Sequence, residues 1–194
     1  MKAELNFNIS CLLLKFENKT VSFSDLISSI DKLVTKYDNE YKLVEISLAS
    51  TENQVASELY SFLDHRIDNY SYQVLMSDII KSLNTSDNLI KVDSLIDFLR
   101  SKTNNENSLE TYSNTPFLED VFYFLYWCSD ELALSRDGIL VNADELEKGL
   151  NELFEILILF KIDNLEFWNK YQTSASQLMT KIKNLRLKRR TESI

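Results

Sequence analysis

The sequence predicts a mainly α-helical protein, and three observations support this fold class. Only two glycines and one proline occur among 194 residues, whereas an average chain contains about 7% glycine and about 5% proline. A β-sandwich or barrel requires many tight turns, and dinucleotide or phosphate-loop sites require glycines, so both classes are disfavoured. The abundant apolar residues recur mostly at helical spacing. We therefore predict a multi-helix, bundle-like domain. A small β element of one or two strands near the N-terminus is compatible with this fold class.

The strongest helical signals lie between residues 115 and 160. The single proline, Pro116, follows Thr115, a good N-cap, and a proline at the first helical position gives up a donor that would be unpaired anyway. The helix from Pro116 to about Leu134 is apolar nearly all round, which is typical of a helix buried on more than one side. A second helix over 144–160 carries a single apolar stripe.

We expect these two helices to form an antiparallel hairpin around the turn at 135–138. Leu125 and Leu153 lie at the centres of their apolar stripes. Complete burial of a large apolar side chain stabilises a fold by about 1.5–3 kcal/mol. Both leucines are therefore predicted to be buried between the two helices.

The first hundred residues combine an alternating segment with several helices. Apolar and polar residues alternate from Leu5 to Leu13, which is the pattern of a half-buried strand, so we predict a strand over about 4–16. The segment 42–49 alternates in a similar way, but a helix fits it equally well. Further helices are predicted at about 26–37, 52–63, 72–83, 92–99 and 165–185.

A polar segment divides the chain. Residues 101–114 are rich in asparagine and serine and contain few apolar side chains, which is typical of a linker or loop. An N-terminal region, 1–100, precedes this segment. The C-terminal region, 115–194, contains the helical hairpin, the last helix and a basic tail. We expect the two regions to pack together as one domain.

Composition also restricts the cellular context. The two cysteines, Cys11 and Cys128, are too few for a disulfide framework, which favours reduced thiols. Polar residues interrupt the N-terminal segment, so it lacks the apolar stretch of a signal peptide. The sequence has no run of 18 apolar residues, so no membrane insertion is expected. These features predict a cytoplasmic protein.

Neither a metal site, nor a cofactor site, nor a catalytic residue is predicted. His65 is the only histidine, and zinc sites draw three or four ligands mainly from cysteine and histidine. His65 lies in a charged connecting segment, and the sequence shows no nucleophile near it. A histidine that simply ends a helix is therefore favoured over one that acts as a catalytic general base. Gly138 and Asp144 fit the second half of a calcium loop, but Ala133 would occupy the first ligand position.

Four carboxylates of the helix over 144–160 lie mostly off its apolar stripe. They are Glu145, Glu147, Glu152 and Glu155. A solvated helix face explains this pattern without a function. A surface of one charge also orients a partner of the opposite charge. We therefore consider these four residues a candidate binding surface for a basic protein.

The tail concentrates the positive charge. The whole chain carries a net charge of −9, although residues 171–194 contain six cations and one carboxylate. The cations are Lys181, Lys183, Arg186, Lys188, Arg189 and Arg190. They suit contacts with phosphates, but cations near a helix C-terminus also complement the helix dipole. Deletion of 187–194 is expected to leave the fold intact.

Three functions are compatible with these features. The first is a non-enzymatic protein-binding module, such as an inhibitor, immunity-type or adaptor protein, that presents an acidic helical surface to a basic protein. The second is a nucleic-acid-associated regulator that uses the basic tail. The third is an enzyme whose site is assembled from dispersed carboxylates and tyrosines. The acidic character of most of the chain favours the first.

Overall fold

The computed structural model describes residues 2–101, 115–141 and 143–189. These residues form a predominantly α-helical protein, which confirms the predicted fold class. The helices are α1 (Lys2–Glu17), α2 (Phe23–Lys36), α3 (Tyr41–Ser47), α4 (Glu52–Phe62), α5 (Ser71–Ser82), α6 (Asn88–Ser101), α7 (Pro116–Arg136), α8 (Asp144–Leu157) and α9 (Trp168–Lys183). A 3₁₀ helix (Ile162–Phe167) joins α8 to α9, and the short strands β1 (Leu140–Val141) and β2 (Lys188–Arg189) pair antiparallel.

The chain divides into two compact units, Met1–Leu75 and Met76–Ile194. The division falls within α5. Of the predicted linker 101–114, only Ser101, the last residue of α6, lies within the described residues. The expectation that the N- and C-terminal regions form one domain stays a prediction.

The strand predicted over 4–16 is wrong, because this segment is helix α1. Its apolar side chains are buried on two opposite sides of the helix. Leu5, Ile9 and Leu13 belong to one buried row, and Phe7, Cys11 and Leu14 belong to another. Residues two apart are separated by about 200° around a helix, so two opposite buried rows produce an alternating sequence. The segment 42–49 is mostly helical as well, because residues 42–47 belong to α3.

The core of the first unit lies between α1, α2, α3 and α4. The row of α1 that begins at Leu5 packs with apolar residues of the other three helices. These residues include Leu26, Ile30, Tyr37, Leu43, Ile46, Val55 and Leu59. Local signals fix where two of the helices begin. Ser22 caps α2 by accepting a hydrogen bond from the amide of Asp25, and Thr51 caps α4 by accepting one from Gln54.

In the second unit, α7 packs most closely against α6, and α8 packs most closely against α9. Leu125 and Leu153 are both buried, as predicted, but the expected close hairpin between α7 and α8 is wrong. The fit between α8 and α9 offers a reason, because Gly149 of α8 has no side chain and leaves room for Ile182 of α9. Helix α9 then covers α8, and α7 contacts α6 and α9 instead.

The turns that follow α1, α4 and α7 contain residues in the left-handed backbone conformation, although the chain has only two glycines. Lys19, Asp64, His65 and Gly138 all have positive φ angles, between 50° and 71°. In each turn, the amide that follows the first left-handed residue donates to a carbonyl five residues earlier, as in a Schellman motif. Only one of the three turns uses glycine. The other two keep ordinary side chains at positions where glycine is usual.

Candidate protein-binding surface

Helix α8 presents three of the four predicted glutamates on one exposed face. Its apolar stripe, which includes Leu150 and Leu153, is completely buried. Glu145, Glu152 and Glu155 are exposed and follow one another at helical spacing. Since the stripe anchors one side of the helix, these carboxylates necessarily face solvent.

Glu147 lies apart from the other three. Its carboxylate accepts a hydrogen bond of 2.5 Å from the side-chain amide of Asn88, which begins α6. The same amide donates to the backbone carbonyl of Glu147 at 3.2 Å. Asn88 is buried, and Glu147 is half-buried. Glu147 therefore links α8 to α6 and does not belong to the exposed face.

A groove runs between α8 and α9 beside the three exposed glutamates. Its deeper end is a cleft of about 240 Å³ with charged rims and an apolar floor. The rims carry Glu145, Lys148, Glu152 and Lys181, and the floor contains Gly149, Leu178, Ile182 and Leu185. The shallower end, of about 630 Å³, shares Glu152, Leu178 and Lys181 and adds Glu155, Ile156, Leu159, Ser174 and Gln177. We call this continuous feature the α8–α9 groove.

Gly149 explains why α9 lies so close to α8. A Cβ atom at this position would lie 2.7 Å from Cγ1 of Ile182, closer than real Cβ atoms approach a neighbour. The absent side chain thus leaves room for Ile182, which is buried. This close approach forms the floor of the groove, and the charged side chains of the two helices rise on either side of it.

The charges of the groove are not neutralised by ion pairs within the described part of the chain. Neither Glu145, Glu152 nor Glu155 forms a salt bridge there, although Lys148 and Lys181 line the same groove. Three carboxylates and two ammonium groups thus surround an apolar floor. A partner that places cations beside the glutamates would gain charge-assisted hydrogen bonds.

Two of the six cations predicted as an anion-binding tail, Lys181 and Lys183, lie in different surroundings. Lys181 lines the groove, whereas the Lys183 ammonium lies 5.8 Å from the centre of the Phe124 ring in α7. Arg186 is exposed. The backbones of Lys188 and Arg189 pair with β1. Arg190 lies outside the described residues.

In the first unit, two tyrosines lie near one carboxylate, an arrangement that the sequence analysis did not predict. The residues are Tyr60, Tyr72 and Glu17. The Tyr60 hydroxyl donates to the Glu17 carboxylate, although 43 residues separate them. Burial and then the charge of Glu17 raise the pKa of Tyr72 to about 12. Burial is also the main cause of the raised pKa of Tyr60. Neither hydroxyl would ionise near neutral pH, so this group resembles a satisfied polar contact more than a catalytic base.

His65 and Cys128, considered singly as possible catalytic residues, have structural roles. The imidazole of His65 is exposed and stacks on the Tyr60 ring, with 6.2 Å between the ring centres. His65 also lies in the turn that ends α4. Burial strongly raises the pKa of the Cys128 thiol, so this cysteine lacks the thiolate that a nucleophile requires.

The described residues contain no group of three or more side chains suited to hold a metal ion. Among the helices in the same ranges, none has the length and apolar character that crossing a bilayer requires. The chain matches no protein-family model, no curated protein and no solved structure. The surfaces of this helical protein are therefore the features that bear on its function.

Proposed function

We propose that the protein is a non-enzymatic binding module that holds a basic segment of another protein in the α8–α9 groove. This class includes inhibitors, immunity-type proteins and adaptors. The observation that carries the proposal is the row of exposed glutamates beside an apolar floor. The floor offers apolar surface to bury, and the glutamates select cations next to it.

The geometry favours a protein segment over a small metabolite. The groove is long and open along α8 and α9, whereas small-molecule sites are concave and enclose most of the ligand. The chemistry of its rims also disfavours nucleic acid, because Glu145, Glu152 and Glu155 would repel phosphates. An extended or helical peptide with basic residues would follow the groove along its length.

Charge reversal tests the proposal. The partner would first be identified by affinity capture and mass spectrometry, and its association with the purified protein would then be timed. The combined changes Glu145→Lys, Glu152→Lys and Glu155→Lys should slow association about tenfold or more at low ionic strength, because they reverse the steering field. The effect should shrink as salt is added. Melting should remain nearly unchanged, since exposed charges contribute about 0–1 kcal/mol each.

A matched control separates the groove from overall charge. Asp130→Lys, Asp163→Lys and Glu166→Lys change the net charge by the same amount at exposed positions that do not line the groove. If this control slows association as much as the groove variant does, the groove is not the site. Nucleic-acid binding that survives the groove variant and disappears when 187–194 are deleted would instead favour the regulator that uses the basic tail.

A further inference from the structure

Helix α3, in the first unit, exposes a row of apolar side chains. Tyr41 and Leu48 are each 79% exposed, and Val44 between them is 41% exposed. The spacing of these residues places all three on one side of the helix and its last turn. We call this row the α3 stripe. Tyr41 and Leu48 lie about 10 Å apart along the helix axis.

The α3 stripe is not needed to hold α3 in place. Leu43 and Ile46, on the opposite side of the helix, are buried in the core of the first unit. Helix α3 also packs against α2 and α4. Since the buried side already anchors the helix, the apolar surface that Tyr41 and Leu48 leave exposed contributes little to holding α3 in place. Single exposed apolar residues are common, but an aligned row with such exposure is typical of an interaction site.

Carboxylates outnumber cations among the residues close to the stripe in sequence. Four exposed carboxylates lie next to it in sequence, at Asp38, Glu40, Glu45 and Glu52. Lys42 is the neighbouring exposed cation. The nearby Lys36 is already paired with Glu4, with 2.8 Å between the ammonium and the carboxylate. Along the sequence, the apolar row is therefore flanked mainly by carboxylates.

This charge pattern indicates which kind of partner the α3 stripe could bind. A second copy of the chain would bring the same carboxylates against one another, which is unfavourable. Nucleic acids and anionic lipid surfaces would be repelled for the same reason. A helix with an apolar side bordered by lysine or arginine complements both the row and its charged border.

We propose that the α3 stripe docks a basic amphipathic helix of another protein. Tyr41 and Leu48 are the two anchors, and Glu40 and Glu45 bind cations beside them. This surface lies in the first unit and the α8–α9 groove lies in the second, so the proposal does not depend on the proposed function. Each can fail without affecting the other.

A defined peptide tests the α3 stripe directly. The probe is a synthetic helical peptide with two leucines seven positions apart, bordered by lysines, and its binding to the full chain is followed by fluorescence anisotropy. The combined changes Tyr41→Ala and Leu48→Ala should weaken binding about tenfold or more, as expected for buried anchors. Glu40→Lys with Glu45→Lys should weaken binding and reduce its dependence on salt.

Two controls make the test specific. Ile139→Ala with Ile162→Ala removes two apolar side chains of the second unit that are 44% and 38% exposed, and binding should change less than about twofold. A peptide with glutamates in place of the lysines should not bind. If the anchor variant has lost its helical circular dichroism, Leu48→Gln alone provides the same comparison.

Three results would overturn the proposal. The first is equal binding of the basic and acidic peptides. The second is unchanged binding by folded Tyr41→Ala, Leu48→Ala protein. The third is a concentration-dependent dimer that Leu48→Gln abolishes, because the stripe would then contact a second copy of the chain.

Discussion

Helices α1 and α8 bury their apolar side chains in different ways. In α8 a single stripe faces the core and three glutamates face solvent. In α1 apolar side chains are buried on two opposite sides, and every residue from Leu5 to Glu17 is buried or half-buried. The two helices have similar lengths, 14 and 16 residues, so the number of buried sides is the main difference between them.

The number of buried sides decides how a helix is recognised from sequence. One buried side gives apolar residues at intervals of three and four, as in α8. Two opposite buried sides also give apolar residues at intervals of two, because two residues rotate the helix by about 200°. The alternation from Leu5 to Leu13 therefore indicated a strand although the segment is a helix. The comparison teaches that alternation of apolar and polar residues does not by itself distinguish a strand from a helix that is buried on two sides.

The largest expected effect comes from neighbouring leucines of α1. Leu13 and Leu14 are both completely buried and belong to opposite rows. Leu13→Ala and Leu14→Ala should each lower the free energy of unfolding by about 2–5 kcal/mol. In an alternating strand, Leu14 would face away from the core and its loss would cost little. Urea unfolding of both variants measures the difference, and a cost only at Leu13 would contradict the two-sided burial of α1.

The corresponding change in α8 is Leu153→Ala, at the centre of its single stripe. It should also cost about 2–5 kcal/mol. Glu152→Ala, one position earlier on the exposed face, is its control and should cost less than about 1 kcal/mol. Neighbouring residues of α8 should thus differ sharply in their effect on the unfolding midpoint, whereas Leu13 and Leu14 of α1 should not.

Alkaline pH tests the contacts at the C-terminal end of α1. The pKa of Tyr72 is about 12 in the folded protein, against about 10 in an unfolded chain. A raised pKa means that the stability from Tyr72 is complete below about pH 10 and is lost as pH rises through about 12. Two pKa units correspond to about 3 kcal/mol. Tyr72→Phe should therefore reduce the loss of stability over this range.

Unfolding titrations in urea at a series of pH values measure this effect. Tyr41→Phe is a suitable control, because Tyr41 is highly exposed and belongs to the same unit. If the stability of wild type and Tyr72→Phe falls equally between pH 10 and 12, burial of the Tyr72 hydroxyl does not govern the alkaline response.

The packing of α8 against α9 can be broken at Gly149. Gly149→Val should cost about 1–3 kcal/mol, because the new side chain overlaps Ile182. In an Ile182→Ala background, the same change should cost less, since space is then available. A double-mutant cycle measured by thermal unfolding gives the interaction between the two sites. Additive effects would mean that Gly149 does not set the distance between the helices.

The smallest expected effect belongs to the strand that follows α9. Deletion of 187–194 removes β2 and its pairing with β1. A hydrogen bond contributes about 0.5–1.5 kcal/mol net, so we expect a loss of about 1 kcal/mol and an intact fold. A loss above about 3 kcal/mol would show that the β1–β2 pair holds α9 in place. Urea unfolding and far-ultraviolet circular dichroism distinguish the two results.

The sequence alone determined the local features of this protein. The scarcity of glycine and proline predicted a helical fold, and Pro116 marked the start of α7. In the structure, the side chain of Ser22 caps α2 through a contact with Asp25, three residues later. The apolar stripe of α8 correctly placed Glu145, Glu152 and Glu155 on an exposed face. These features depend on residues a few positions apart, whose relative directions follow from helix geometry.

Tertiary packing decided the features that join distant residues. It buried α1 on two sides, and it paired α8 with α9 where a hairpin with α7 was expected. It also drew Glu147 to Asn88 and placed Lys181 beside Glu152 in the groove. A helical pattern specifies which side of a helix is apolar, but it does not specify which helix covers that side. That choice depends on the fit of whole surfaces, such as the space that Gly149 leaves for Ile182.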